Sequence, residues 1–296
     1  MSHNSQQLGV SAVIPTFNGQ RLLAKHLPAL LLTLRDKDEV IIVDDNSTDQ
    51  SWSWLQQLFA KAGARLVNQD SKYGDVLVGS CHLEQKILSV QLLKHDTNQR
   101  FAAAANHGVE LARQPLILLL NNDVRPSPNL LENLVPHFAD PEVFGVGCLE
   151  YEGGDHRKLG GKNVLRFSKG LFIHNRAEEF SSGETAWVSG GSGLFSREKW
   201  LQLGGFDPEF YPAYWEDIDI SFRARQRGWQ VLFEAKATVE HHHESTNNDV
   251  FGQQKIAEMS WQHGKYFTRK NSNWWQKIMY FLWQPYWNRQ WQKRQK

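Results

Sequence analysis

With 296 residues, 41% of them hydrophobic and 22% charged, the chain can bury one large core, and its composition is that of a globular protein rather than a disordered or fibrous one. Its net charge of +1 hides an asymmetry: Met259 to Lys296 holds eight Lys or Arg and no Asp or Glu, so this stretch is +8 and the rest of the chain is −7. A basic tail on an acidic body calls for an anionic partner surface, either membrane or nucleic acid.

In chain order, Met1 to Gly9 is polar and lacks the basic start and apolar core of a signal peptide, so it reads as a disordered N-terminus of a cytoplasmic chain. Val10 to Ile14 is a strand running into the turn Pro15-Thr16-Phe17-Asn18-Gly19, and Leu22, Leu23, Leu27, Leu30 and Leu31 then recur at helical spacing. Val40 to Val43 is a second strand, ending in Asp44-Asp45-Asn46-Ser47-Thr48-Asp49, with a helix over 50–62. Residues 64–88 show no clear period and read as an insertion. Val90 to Leu93 is a third strand, and an alanine-rich helix over 100–112 follows. Leu116 to Leu120 is an unbroken apolar run, as a strand buried on both faces requires, and it delivers Asn121-Asn122-Asp123. No run approaches the roughly 18 apolar residues that span a bilayer. Cys81 and Cys148 form neither a metal-ligand spacing nor a disulfide framework.

Strands alternating with helices predict βαβ units and a mostly parallel sheet. Strands one, two and four all end in polar or acidic residues, and open α/β sheets bind ligands beyond those ends. The same residue types also make turns and helix caps. The first turn has neither the Gly-x-Gly-x-x-Gly of a dinucleotide site nor a P-loop, which demotes hydride transfer and P-loop hydrolysis.

Val13-Ile14-Pro15-Thr16-Phe17-Asn18, Val43-Asp44-Asp45-Asn46-Ser47-Thr48-Asp49 and Arg100 through Gly108 resemble, in order, the nucleotide-binding half of family two of the glycosyltransferases. Val188-Ser189-Gly190-Gly191-Ser192-Gly193, Gly204-Gly205-Phe206-Asp207, Glu216-Asp217-Ile218-Asp219 and Val239-Glu240-His241 with Ser245 resemble its acceptor half. The resemblance covers about residues 10–246 and implies an α/β, GT-A (Rossmann-like) fold. The expected division is a domain over 10–250, with a nucleotide-binding half at 10–125 and an acceptor-side half at 126–250, followed by a basic, Trp-rich helical extension over 251–296. The implied activity is inverting transfer of a sugar from a nucleoside diphosphate donor to an acceptor hydroxyl, in cell-surface polysaccharide or glycolipid synthesis. The alternative is a nucleotide-sugar-binding scaffold that has lost chemistry. One departure is that the family's Asp-x-Asp metal motif is here Asn121-Asn122-Asp123, with only its second carboxylate. It resembles the rhamnosyltransferase-like branch in this respect.

Charge builds on the leaving diphosphate, and Mn²⁺ or Mg²⁺ held by carboxylate oxygen can neutralise it. The resemblance implies Asp123 and His241 as ligands, although His241 also begins a run of three histidines that fits a plain surface segment. Asp45 is expected to accept an imide N–H of uracil or thymine, favouring a UDP- or dTDP-sugar, or else to cap the following helix. Pro15, Thr16, Asn18, Arg100, Asn106, Asn122, Gly190, Gly191 and Ser192 complete the expected donor contacts. An attacking hydroxyl must lose its proton, and the resemblance puts the general base at Asp217, with Glu216 as a positioning residue or alternative base. The helix macrodipole alone also favours acidic residues there. Trp187 and Trp215 either stack on a sugar or pack in the core.

From Trp274 to Lys296 the chain holds five of its twelve Trp together with five basic residues. The segment either lies on an anionic membrane, at its inner face, or closes over the domain as a packing helix. The acceptor expected is a glycan or a lipid-linked intermediate, and no nucleic acid is expected.

Overall fold

The computed structural model of the protein describes residues 8–153, 155, 157–242 and 246–294. Met1 to Gln7, which make up most of the expected disordered N-terminus, lie outside the described residues, as do His243, Ser245 and Lys296.

The first half follows the predicted alternation: β1 (Val10–Thr16), α1 (Gln20–Thr33), β2 (Glu39–Asp44), α2 (Ser51–Lys61), β3 (Val67–Gln69), β4 (Asp75–Leu83), β5 (Lys86–Lys94), α3 (Arg100–Leu111) and β6 (Leu116–Leu120). The second half is built from shorter pieces: β7 (Val124–Pro126), α4 (Leu130–Leu134), β8 (Val143–Glu152), β9 (Leu159–Gly160), β10 (Asn163–Ser168), β11 (Leu171–Arg176), β12 (Gly183–Glu184), β13 (Ser192–Ser196), α5 (Arg197–Gln202), α6 (Glu216–Gln226) and β14 (Gln230–His241). Two helical segments follow, α7 (Thr246–Asn271), which is kinked at Gly252 (φ 71°, ψ 157°), and α8 (Trp274–Arg294).

The main sheet runs β12-β14-β8-β13-β6-β1-β2-β5-β4-β3, with β7 added on β14 and β9 on β8. Its centre, β6-β1-β2-β5, is parallel, as the sequence pattern predicts. The flanks differ: β13 is antiparallel to both β6 and β8, and β4 is antiparallel to β5 and β3, so the sheet as a whole is mixed. The 64–88 stretch is therefore not a free insertion. It is a hairpin that widens the sheet, and its half-exposed strands lack the apolar run that would have announced them.

Every residue of β1, β2 and β6 is buried. One face is covered by α1 and α2 through Leu23, Leu27, Leu30, Leu55 and Phe59. The other is covered by α3 through Ala102, Ala104, Ala105 and Val109, whose small side chains let the helix lie close on the strands. A third cluster joins Phe172, Trp187, Phe210, Trp215 and Ile218 to Phe267 of α7, so α7 is packed into the domain. The C-terminal ends of β1, β2 and β6 open on one side of the sheet, where the cleft lies.

Candidate active site

The cleft is walled by the β1 turn (Pro15, Thr16, Phe17), by Asp45 after β2, and by Arg100 and Phe101 at the start of α3. Its floor is Asn121, Asn122 and Asp123 after β6 together with Ser189, Gly190 and Gly191 before β13. Its far wall is Tyr214, Glu216 and Asp217. Of the expected residues, Pro15, Thr16, Asp45, Arg100, Asn122, Asp123, Gly190, Gly191, Glu216 and Asp217 thus meet in one place.

Asp45 is buried and heavily used. It accepts from His95 Nδ1 (2.8 Å) and Gln99 N (2.7 Å) on one oxygen and from Arg100 N (2.7 Å) on the other. It therefore caps α3, not the helix that follows it in sequence. Three N–H groups take three of the roughly four acceptor positions of a carboxylate, leaving about one for a ligand. Behind it, His95 Nε2 lies 3.0 Å from His107 Nδ1. Burial first and then the neighbouring His95 push His107 down to about 4, so His107 is neutral at pH 7.

Three residues expected to contact the donor do not line the cleft and are hydrogen-bonded within the protein. Asn18 Oδ1 accepts from Thr48 N (2.8 Å) and Asp49 N (3.3 Å), stapling the β1 turn to the loop after β2, and the residue does not line the cleft. Asn106 donates to Phe206 O (2.9 Å) and accepts from Phe206 N (2.8 Å), which pins the 204–207 loop to α3. Ser192 is 1% exposed and donates a short hydrogen bond to Glu150. In each case a short polar side chain satisfies backbone or a buried acid, a role that its position in a motif does not reveal.

Asn122 Nδ2 donates to Thr16 Oγ1 (2.8 Å), tying the β6 end to the β1 turn. Asn121 packs against Gly191 so closely that a Cβ there would lie 2.6 Å from Nδ2, which is why this position takes glycine. The retained acid, Asp123, is 3% exposed, and its Oδ1 lies 3.4 Å from His241 Nε2 at the end of β14. His241 Nδ1 in turn lies 3.6 Å from Glu150 Oε2. Burial works against charge on His241, but Asp123 and Glu150 outweigh it and raise the imidazole to about 10. Glu150 was not anticipated; its one signal in the sequence is an acid closing the apolar run of β8.

Among the described residues no group of three or more His, Cys, Asp and Glu is placed to hold a metal ion, and the pair Asp123–His241 offers two donor atoms, the imidazole only once it has lost a proton. Ligand atoms at right angles with bonds of about 2.1 Å lie about 3 Å apart, close to the spacing between Asp123 and His241, and oxygen with imidazole suits Mn²⁺ as well as Mg²⁺. Glu150 behind the histidine is placed to orient it, as carboxylates do behind metal-bound imidazoles.

Glu216 and Asp217 open α6. The turn before them is forced: Tyr214 (φ 77°) and Trp215 (φ 80°) are both left-handed, a costly conformation for bulky residues that the surroundings must hold. α7 holds it. His263 donates from Nδ1 toward the Ala213 and Tyr214 carbonyls, and Trp215 Nε1 donates to Ser260 Oγ (3.3 Å). Trp215 and Trp187 are both buried in the core cluster, so packing is their role. Asp217 accepts from Ile218 N (2.8 Å) and Gly190 N (3.4 Å). Glu216 is 7% exposed, and its Oε2 has no hydrogen-bond partner among the described residues. Burial raises both carboxyls, Glu216 further because ionised Asp217 lies beside it. Asp219, by contrast, faces inward to Arg223 (2.7 Å) and Lys270 (2.9 Å) and serves the α6–α7 contact.

Mixed sheet, covering helices and a polar cleft at the strand ends define an α/β protein of the GT-A architecture. Solved structures agree on that fold: GalNAc-T7 with UDP, GalNAc and Mn²⁺ (TM-score 0.59, 17% identity, 80% of this chain and 44% of that one). A mannosyltransferase from Pyrobaculum calidifontis with GDP-Man and Mn²⁺ is similar (TM-score 0.58, 18% identity, 88% and 65%). The sequence model described as Glycosyl transferase family 2 matches residues 11–200, and the chain belongs to that family. Among curated relatives, an O-antigen chain rhamnosyltransferase of Salmonella typhimurium is 23% identical over 82% of this chain and 69% of its own length. A pre-mycofactocin glycosyltransferase of Mycobacterium tuberculosis is 26% identical over 81% of this chain but only 44% of its own.

Proposed function

We propose that the chain is a divalent-metal-dependent, inverting glycosyltransferase acting on a nucleoside diphosphate sugar. The observation that supports this reading is the meeting, in one cleft, of Asp123, with His241 behind it, and the buried acids Glu216 and Asp217. The β1 turn and Asp45 hold the nucleoside, and the last acceptor position on Asp45 suits the imide N–H of a uracil or thymine base. A cation at Asp123 and His241, when bound, neutralises the departing diphosphate. Asp217, held by two backbone N–H groups and raised by burial, takes the proton from the acceptor hydroxyl in a single displacement. Glu216, neutral beside it, orients the acceptor through its unpartnered oxygen. The acceptor is a glycan or lipid-linked hydroxyl on the cytoplasmic side of a membrane, in polysaccharide synthesis.

A panel of UDP-, dTDP- and GDP-sugars assayed for transfer or slow hydrolysis, with and without Mn²⁺, tests the reading. Metal-dependent release of nucleoside diphosphate from one donor is expected. Binding of nucleotide without turnover on any donor would favour a catalytically inactive scaffold.

A further inference from the structure

The C-terminal helices divide the labour that composition alone left undivided. On α7, Met259, Phe267 and Thr268 are buried. The helix α8 is packed on one side only. Its Tyr280 is 6% exposed, Trp291 stacks on Trp261 of α7 (5.2 Å, 4° between planes), and Trp287 Nε1 donates to Lys169 O (2.6 Å) in the β10–β11 turn. At Gly170 in that turn a Cβ would lie 2.4 Å from Met279 O, so the absence of a side chain lets α8 sit down on the hairpin. Pro285 falls within the helix without ending it.

The other side of α8 is bare and apolar. Trp274, Trp275, Ile278, Phe281 and Leu282 are 74%, 54%, 43%, 67% and 67% exposed. At 100° per residue these five fall within an arc of about 120°. Together they show on the order of 600 Å², at the upper end of what a monomeric protein leaves as one patch. Lys277 flanks the patch, and Arg289 and Lys293 continue the same outward arc, all exposed. No Asp or Glu occurs after Glu258. Two such faces meeting in a symmetric dimer would set like charge against like. Indole rings at the rim, an apolar wedge and flanking cations with no anions match a lipid bilayer bearing negative headgroups. Among the described residues no helix is long and apolar enough to cross a membrane, which leaves the helix lying in the interface.

We infer that the outward face of α8 seats this protein on an anionic lipid surface, with Trp274, Trp275, Phe281 and Leu282 inserted between headgroups, Lys277 at the edge of the patch, and Arg289 and Lys293 meeting the headgroups further along the same face. This goes beyond the catalytic reading and stands apart from it, since lipid binding needs no turnover. The packed side of α8 fixes the orientation of that face through the β10–β11 turn and α7 to the cleft wall at Ala213 and Tyr214.

The full chain is tested by flotation with vesicles of phosphatidylglycerol and phosphatidylcholine, against phosphatidylcholine alone. Flotation with the anionic vesicles only is expected, and Trp274→Ser/Trp275→Ser/Phe281→Ser/Leu282→Ser should weaken it at least tenfold. Lys277→Glu/Arg289→Glu/Lys293→Glu should weaken it too, and added salt should weaken the wild type. Because all seven positions are exposed, both variants should keep the wild-type melting temperature and donor hydrolysis. The inference is overturned if the wild type ignores anionic vesicles, if it floats equally with both kinds, or if the apolar variant floats as well as the wild type. It is also overturned if the wild type is a solution dimer that the apolar variant turns into a monomer without either floating, which would assign the face to a second copy.

Discussion

The substitution Asp217→Asn exchanges one oxygen for nitrogen in a side chain held by two backbone N–H groups. The remaining oxygen can keep the 2.8 Å bond from Ile218 N. The new amide nitrogen then faces Gly190 N, donor against donor, across a contact that is already 3.4 Å. That mismatch costs about 1 kcal/mol, or about 2–4 °C in melting temperature for a chain of this size, so the variant stays folded. Loss of the base is far larger: a general base contributes about 10²–10⁴ in rate, equivalent to about 3–5 kcal/mol of barrier. Burial, with Glu150 adding repulsion, holds the Asp217 carboxyl above the usual carboxylate range. A base works only when deprotonated, so wild-type turnover should rise with pH through that raised value, tenfold per unit on the acid limb, and the Asn variant should lose the limb. Initial rates at saturating donor, with nucleoside diphosphate affinity by calorimetry, separate chemistry from binding: kcat should fall and affinity should change less than about fivefold. Turnover within tenfold of wild type in Asp217→Asn would refute the assignment and move the base to Glu216.

Asp123→Ala should lower metal-dependent turnover at least a hundredfold and also abolish any Mn²⁺-induced rise in melting temperature; full activity of the wild type in excess EDTA would end the metal reading. Glu216→Gln tests the buried acid by linkage. A carboxyl raised on folding favours the folded state at low pH and loses that contribution as pH rises, so the Gln variant should match wild type near pH 4 and be the more stable above it, as thermal melts at several pH values would show. Asn106→Ala strands the N–H and C=O of Phe206, about 1–3 kcal/mol each when buried, and should lower the melting temperature by at least about 5 °C; a drop under 2 °C would show that the bracket is dispensable.

The site residues that were legible in the sequence are those whose place follows from one strand and its end. The runs Val10 to Ile14, Val40 to Val43 and Leu116 to Leu120 could be read as buried parallel strands, and the polar residues closing them, Thr16, Asp45 and Asp123, do line one cleft. The hairpin at 67–83 could not be read this way, since its strands are half-exposed and carry no sustained apolar pattern. Glu150 was likewise silent, because an acid ending an apolar run becomes informative only when β14 lays His241 beside it.

What the sequence determined by itself was the set of parts: apolar runs and helical periods that depend on near neighbours, and short motifs in a fixed order. What only tertiary structure decided was which atom of each part faces the cleft. Asn18, Asn106 and Ser192 have the chemistry to meet a donor, but the backbone N–H and C=O groups and the buried acid brought to them from distant segments claim their hydrogen bonds first. The tail follows the same rule. Its Trp and basic residues are fixed by sequence, but packing against Trp261 and the β10–β11 turn, contacts over long separations along the chain, chose which face of α8 is left to the solvent.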